Sequence, residues 1–253
     1  MARASPAATA EKAMLESVRR TLWRGAVLLS AACAFVPAAH APIPCDQGGF
    51  KMAMWKAIAD HCIDHPGPNT PKDCVVVDDR IVIARDSFKP EAFLVVARDP
   101  VCGIEDDQVR APGTPNYWLA GWTNRKLVGD GWTVGLAINA RDRRSQNRLH
   151  IHVDRLCMNV ARALSAPGSA SRPFADPLLK PWHALPIAVS DIAAKNIFAL
   201  VAAAEPEIPP AEQSIALVAA KNDPTKALVL YGADRDGAGH AEDLFSYGGR
   251  CGG

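Results

Sequence analysis

The chain has 253 residues, 49% of them hydrophobic, and a formal charge of +1. That length and apolar content suit one sizeable globular domain or two small ones. The near-neutral charge gives no basis for a nucleic-acid partner, and the chain holds neither a long charge run nor an internal repeat.

The first 41 residues differ from the rest. Arg19, Arg20 and Arg24 precede a mostly apolar stretch over 25–39, which ends in the small-x-small sequence Ala39-His40-Ala41. This is the anatomy of a secretory signal. Its apolar core of about fifteen residues is shorter than the ~20 of a spanning helix. Pro42 would follow the cut, where proline is disfavoured, so cleavage and retention as an anchor both stay open. The expected organisation is a signal peptide or N-terminal membrane anchor over 1–41, then one domain over 42–253. Export leaves Cys45, Cys62, Cys74, Cys102, Cys157 and Cys251. An even number of cysteines in an oxidising compartment predicts disulfides, although six allow fifteen connectivities. No C-x-x-C is present, which argues against a zinc ribbon or a thioredoxin-like site. The segment 1–41 holds five basic and two acidic residues, so the remainder carries about −2. A basic, membrane-hugging surface is not indicated.

The elements follow in chain order. Gly48 to Cys62 reads as a helix, with Met52, Trp55, Ile58 and Ala59 at helical spacing. His65 to Asp73 is a proline-rich loop. Cys74 to Asp86 reads as two strands around an Asp78-Asp79 turn, and Glu91 to Asp99 as a third strand. Asp99, Glu105, Asp106 and Asp107 read as a solvated acidic turn. Thr114 and Pro115 supply an N-cap and a first-turn proline for a helix through Asn116 to Leu127. Its Tyr117, Trp118 and Trp122 are most simply core. Trp132 to Asn139 is a strand, followed by a polar loop and a further strand over Leu149 to Val153. Ser190 caps a helix through Asp191 to Ala204. Ser214 to Lys221 and Ala227 to Ala233 flank Asn222 to Thr225 as a hairpin. Antiparallel strand runs with helices between them predict an α+β fold, an antiparallel sheet with flanking helices.

The strand at 149–153 carries the chemistry. Period two places Arg148, His150, His152 and Asp154 on one face and Leu149, Ile151 and Val153 on the other. With seven histidines in the chain, a chance H-x-H occurs in roughly one chain in five, so the pair alone decides little. Three readings compete: an incidental pair on a half-exposed strand, a zinc site with Asp154 as third ligand, and an imidazole nucleophile acting at phosphorus. The residues upstream favour the third. Asn139 ends the preceding strand, Gln146 follows seven residues later, and His150 four after that. This register arises by chance on the order of once in ten thousand chains.

Asn139, Gln146, His150 and His152 resemble the histidine-triad superfamily of nucleotide hydrolases and transferases. Within it, Leu136 to Val153 (LAINARDRRSQNRLHIHV) and Gly113 to Trp122 (GTPNYWLAGW) resemble the CDP-diacylglycerol pyrophosphatases. An N-terminal hydrophobic segment and cysteines matching Cys62, Cys74, Cys157 and Cys251 are typical of that family too. The resemblance begins near Lys51 and is clearest over 113–157. It implies hydrolysis of CDP-diacylglycerol, met at a membrane surface, to CMP and phosphatidate. The fold it implies is histidine-triad-like, and the place is the periplasmic face of the bacterial inner membrane, anchored or secreted.

By the same resemblance, His152 stands at the nucleophile's position, forming a CMP–histidine intermediate, and His150 orients its neighbours. Asn139 matches a polar contact near the nucleophile, and Gln146 and Asn147 match residues that bind phosphate oxygens. Arg148, on the same face, reads either as a cation for phosphate charge or as a solvated edge arginine. The chain departs from the superfamily at Asp154, where a third histidine is usual. A carboxylate there would repel a pyrophosphate unless it turns away or stays protonated, and the leaving-group proton donor is left unnamed. No magnesium motif is visible and no cofactor is implied. Hydrolysis of another nucleoside diphosphate derivative, or an exported binding or metal-handling protein that uses the His-x-His pair without turnover, are the alternatives. His183 and His240 look incidental. Among the cysteines, Cys157 and Cys251 are expected to pair, since Cys251 otherwise lies in a glycine-rich tail that frays.

Overall fold

One side chain closes the first turn of the sheet. Asp78 Oδ1 accepts from the backbone N–H groups of Arg80 (2.7 Å) and Ile81 (2.6 Å), the local bond that makes aspartate a turn residue. The computed structural model describes residues 58–63, 73–129, 131–165, 174, 179–246 and 251, all within the unit Pro42–Gly253. The segment 1–41 lies outside them, as do most of the helix expected at Gly48 to Cys62 and most of the proline-rich loop.

Eight strands form one sheet: β1 (Cys74–Val77), β2 (Ile81–Arg85), β3 (Phe93–Ala97), β4 (Val134–Ile138), β5 (His150–Arg155), β6 (His183–Ala188), β7 (Gln213–Ala219) and β8 (Lys226–Ala233). Their order is β1-β2-β3-β5-β4-β7-β8-β6, and every pairing is antiparallel. The helices among the described residues are α1 (Tyr117–Asn124), α2 (Met158–Leu164), α3 (Asp191–Ala194) and α4 (Ile197–Ala204). The fold is α+β, as the strand and helix patterns predict.

The two faces of the sheet are covered differently. Ile83, Val95, Ile151, Leu136, Leu217 and Val229 point to one face and pack under Tyr117, Trp118 and Trp122 of α1 and Ile197, Phe198 and Val201 of α4. The aromatic residues of the Gly113 to Trp122 stretch are therefore core, and the Trp118 and Phe198 rings lie 5.5 Å apart. Gly121 makes this approach possible, because a Cβ there would meet Leu136 Cδ2 at 2.4 Å. On the other face two apolar clusters leave a gap between them. One gathers Val82, Ala84, Leu94 and Val96 with Ile58 and the Cys62–Cys74 bridge. The second joins Ala216, Val218, Leu228 and Leu230 to α2, Trp182 and Phe245.

Several boundaries differ from the sequence reading. The cap of α1 is Asn116, whose Oδ1 accepts from Leu119 N–H at 2.9 Å; Thr114 instead donates to the Gln108 carbonyl. The helix expected from Ser190 breaks at Lys195 and restarts with Asn196 as cap of α4. Ser190 stands at the N-cap of α3 but has helical backbone angles and makes no side-chain capping bond, whereas a capping residue ordinarily has an extended backbone, as Asn196 does. The acidic turn is solvated only at Asp99 and Asp107. Asp106 receives Cys102 N–H (3.2 Å) and Gln108 N–H (3.0 Å), and Glu105 forms a two-pronged ion pair with Arg144. β6 is an edge strand that contains Pro186, a position where a missing N–H costs no ladder bond.

The disulfides Cys62–Cys74 and Cys157–Cys251 span 12 and 94 residues, and Cys102 is also disulfide-bonded. The second pairing is the one expected from the tail. It is reinforced by a bridge between Leu156 and Phe245 and by Ser246 N–H donating to the Arg155 carbonyl at 2.8 Å. The C-terminal segment is thereby laid along the end of β5.

Candidate active site

Strand register places His152 in the gap. Reading across the sheet, Cys74, Ala84, Leu94, His152, Ala137, Ala216, Leu230 and Ala184 stand in one row. His152 is its one ionisable member. Its neighbours are Leu94 on one side and the small Ala137 on the other, so the imidazole is walled by carbon yet not overfilled. His150 occupies the next row opposite Val96, and Asn139 follows the last residue of β4 on the face shared with Ala137. All three are buried.

Each imidazole has a definite environment. His150 Nδ1–H donates to the Arg148 carbonyl at 2.7 Å, which leaves its Nε2 unprotonated. Burial, and then the neighbouring His152, push its pKa down from 6.5 to about 4, so it is neutral near pH 7. The two rings meet edge to face, 5.0 Å between centroids. His152 lies between two carboxylates: its Nε2 is 3.0 Å from Glu242 Oε1 and its Nδ1 is 4.0 Å from Asp86 Oδ2.

Glu242 is held at several points. Oε1 accepts from Asn139 Nδ2 at 2.6 Å, and Oε2 pairs with Lys89 Nζ at 2.5 Å. The Glu242 backbone N–H donates to Asn139 Oδ1 at 3.2 Å. Burial works against its charge, but His152 and Lys89 outweigh it and hold the carboxyl well below the usual carboxylate range. Lys89 is presented by a tight loop after β2, in which Asp86 Oδ1 accepts from Phe88 N–H at 2.8 Å. Glu242 is presented by the short 3-10 turn Ala241–Leu244. A carboxylate fixed beside an imidazole nitrogen by an ammonium and an amide is placed to balance the charge of an imidazolium.

The remaining candidate residues divide. Gln146 and Arg148 are buried and Asn147 half-buried in the segment that enters β5. That segment is pinned by Arg144, whose ion pair with Glu105 leaves the two side chains 7% and 6% exposed. The groups that the structure brings onto the carboxylate at His152 are Asn139 and Lys89. Asp154 is buried on the histidine face; its Oδ1 accepts from Arg155 N–H at 2.6 Å, while its Oδ2 has no hydrogen-bond partner among the described residues. Burial raises its pKa, which favours the protonated form. His183 stacks on Tyr231, and His240, at the start of the turn that carries Glu242, bonds Asp243 at 3.0 Å.

Sequence reasoning missed Glu242, Lys89 and Asp86. For Glu242 a signal existed: Cys251 ties the tail down, and Ala241 to Phe245 places an acidic pair beside apolar residues that only a docked segment would bury.

A family model described as CDP-diacylglycerol pyrophosphatase matches residues 51–248. The chain belongs to the CDP-diacylglycerol pyrophosphatase family. Among its relatives, the CDP-diacylglycerol pyrophosphatase of Yersinia pestis is 32% identical over 124 residues, covering 45% of this chain and 48% of that one. A probable CDP-diacylglycerol pyrophosphatase of Mycobacterium leprae is 28% identical over 153 residues, 56% of this chain and 54% of its own. The chain thus spans about half the length of these CDP-diacylglycerol pyrophosphatase relatives. A solved structure of Hnt3 in complex with DNA and guanosine aligns with 42% of this chain and 62% of its own, with a TM-score of 0.30 and 17% identity, too slight a likeness to bear on the fold.

Proposed function

We propose that this chain hydrolyses the pyrophosphate bond of CDP-diacylglycerol, giving CMP and phosphatidate, with His152 as nucleophile. The observation that carries the reading is a buried His152 whose Nε2 faces Glu242, a carboxylate held in place by Lys89 and Asn139. Family membership supplies the substrate. An unprotonated nitrogen of His152 attacks the cytidine-side phosphorus, and the bond to the bridging oxygen breaks. Phosphatidate leaves with that oxygen and its electron pair. Water then adds to the same phosphorus, the P–N bond breaks, and CMP departs as water's proton is released. Splitting one displacement into two in this way is the benefit of covalent catalysis. The imidazole becomes cationic in the first step, and Glu242 and Asp86 supply the balancing charge. Lys89 neutralises phosphate oxygens, with Gln146, Asn147 and Arg148 as further phosphate contacts. The superfamily likeness of the Asn139, Gln146, His150 and His152 register supports this division of roles.

Within the same proposal, 1–41 is a signal or anchor and 42–253 the hydrolase domain, working on lipid at the periplasmic face of the inner membrane. The Cys62–Cys74 and Cys157–Cys251 disulfides support an oxidising compartment. No helix among the described residues is long and apolar enough to cross a membrane. The test is incubation of purified protein with CDP-diacylglycerol and detection of CMP. Release by the native chain and none by His152→Ala is the expected result. No CMP from the lipid, with turnover of a soluble nucleoside diphosphate ester, would move the activity to another substrate.

A further inference from the structure

The row that holds His152 continues outward into a pocket. Its floor is Leu94 and Ala84, the next two members of that row. Its walls include Ile58 and Cys62 on one side and Pro90 on the other, and it encloses about 440 Å³. Asp86, 4.0 Å from His152 Nδ1, lies on its inner rim. The cavity borders the imidazole through Asp86, and beside its apolar floor it is also lined by His61, Asp73, Arg85 and Ser87.

The loop that forms one wall has a second property. Between Asp86 and Pro90 it carries Phe88, 67% exposed, and Lys89, which grips Glu242. A single exposed aromatic on a surface means little by itself. This one caps the loop that supplies both a wall of the pocket and a cation of the site. An aromatic ring at such a place suits the boundary between water and lipid.

We propose that the pocket over Ala84 and Leu94 is the lipid-side subsite, which takes the acylglycerol end of the substrate, with Phe88 resting in the lipid surface at its mouth. The proposal rests on the CDP-diacylglycerol reading above and adds where the lipid half is bound. A subsite of this size holds the glycerol ester region and the first part of a chain. The rest of the acyl chains stay in the lipid layer, which Phe88 touches. The nucleotide half then lies on the opposite side of His152, toward Asn139 and the segment that enters β5.

The test compares two substrates in the full chain: CDP-diacylglycerol in phosphatidylcholine vesicles, and a cytidine diphosphate ester of a short water-soluble alcohol. Ala84→Phe fills the pocket floor, and Phe88→Ser removes the exposed ring without touching the interior. Each should raise KM for the vesicle substrate at least tenfold and leave kcat/KM for the soluble ester within about twofold. Phe88→Ser should also lower the fraction of protein sedimenting with the vesicles. In the native chain, lengthening short acyl chains should raise kcat/KM by up to roughly fourfold per methylene until the pocket is full. Equal effects of Phe88→Ser on both substrates, or none on either, would overturn the subsite while hydrolysis stands. Failure of the native chain to cleave either substrate would overturn the parent reading and the subsite with it.

Discussion

Asn139 grips Glu242 from both ends of its amide: Nδ2 donates to the carboxylate at 2.6 Å and Oδ1 accepts the Glu242 backbone N–H at 3.2 Å. The two residues are 103 apart in sequence, so the end of β4 and the C-terminal segment are locked together at the histidine pair. A carboxylate clamped this way has a fixed position relative to the His152 imidazole, and fixed charge is what stabilises a cation that develops only during reaction.

Glu242→Gln keeps the shape of the clamp and removes its charge. Turnover should fall by about 10²–10³-fold, in the range seen when one preorganised electrostatic contact is lost, while KM changes little. Asn139→Ala should act in the same direction, and the double variant should lose less than the two single losses multiplied. A Glu242→Gln enzyme within threefold of native would sink this role.

His152→Ala should abolish CMP release with an unchanged far-UV spectrum, because loss of a covalent nucleophile costs several orders of magnitude in rate. His150→Ala should retain measurable turnover, since its ring is tied to the Arg148 carbonyl. A dead His150→Ala beside an active His152→Ala would mean that the two roles are exchanged.

Much of the site was legible because strand periodicity is a local property. Alternation over Leu149 to Val153 is enough to put His150 and His152 on one face, and the spacing to Asn139 is enough to bring in the neighbouring strand. What that face meets is not local. The row from Cys74 to Ala184 is set by pairings between strands far apart in sequence, and Glu242 arrives from a tail whose glycines read as frayed. Lys89 and Asp86 sit in a loop with no periodicity to mark them. β6 was hidden by its proline, which breaks a central-strand pattern but is tolerated at an edge. Local competition between cap residues misplaced one helix start, where Asn116 makes the capping bond expected of Thr114, and Asn196 starts a second helix where one continuous helix from Ser190 was expected.

Stability should depend on pH through His150. Its folded pKa is about 4 against an ordinary 6.5, so below pH 6.5 the unfolded chain takes up a proton that the folded chain refuses. Its contribution is therefore fully present above pH 6.5 and lost as pH falls toward 4, by about 3 kcal/mol across the window. Urea midpoints measured between pH 7.5 and 4 should fall, and His150→Gln should flatten that dependence. Equal slopes in the two proteins would show that His150 titrates normally in the folded state.

Reduction should loosen the active site as well as the chain. The Cys157–Cys251 bridge closes a loop of 94 residues, worth about 4–5 kcal/mol in the loop-entropy model, and it anchors the segment that carries Glu242. Cys251→Ser should lower the unfolding midpoint and turnover together. Free-thiol titration of the native protein without reductant should find few reactive thiols, and a free Cys251 in a peptide map would remove the basis for this coupling.

The isotope pattern decides which phosphorus is attacked. If His152 takes the cytidine-side phosphorus, phosphatidate departs with the bridging oxygen already bonded to its own phosphorus, and water enters only when the P–N bond is cleaved. Turnover in oxygen-18 water should place the label in CMP and leave phosphatidate unlabelled. Quenching in base during turnover should trap an acid-labile cytidylyl adduct on His152, which His152→Ala cannot form. Label found only in phosphatidate would place attack at the lipid-side phosphorus and reverse the assignment of the two sides, with the overall reaction unchanged.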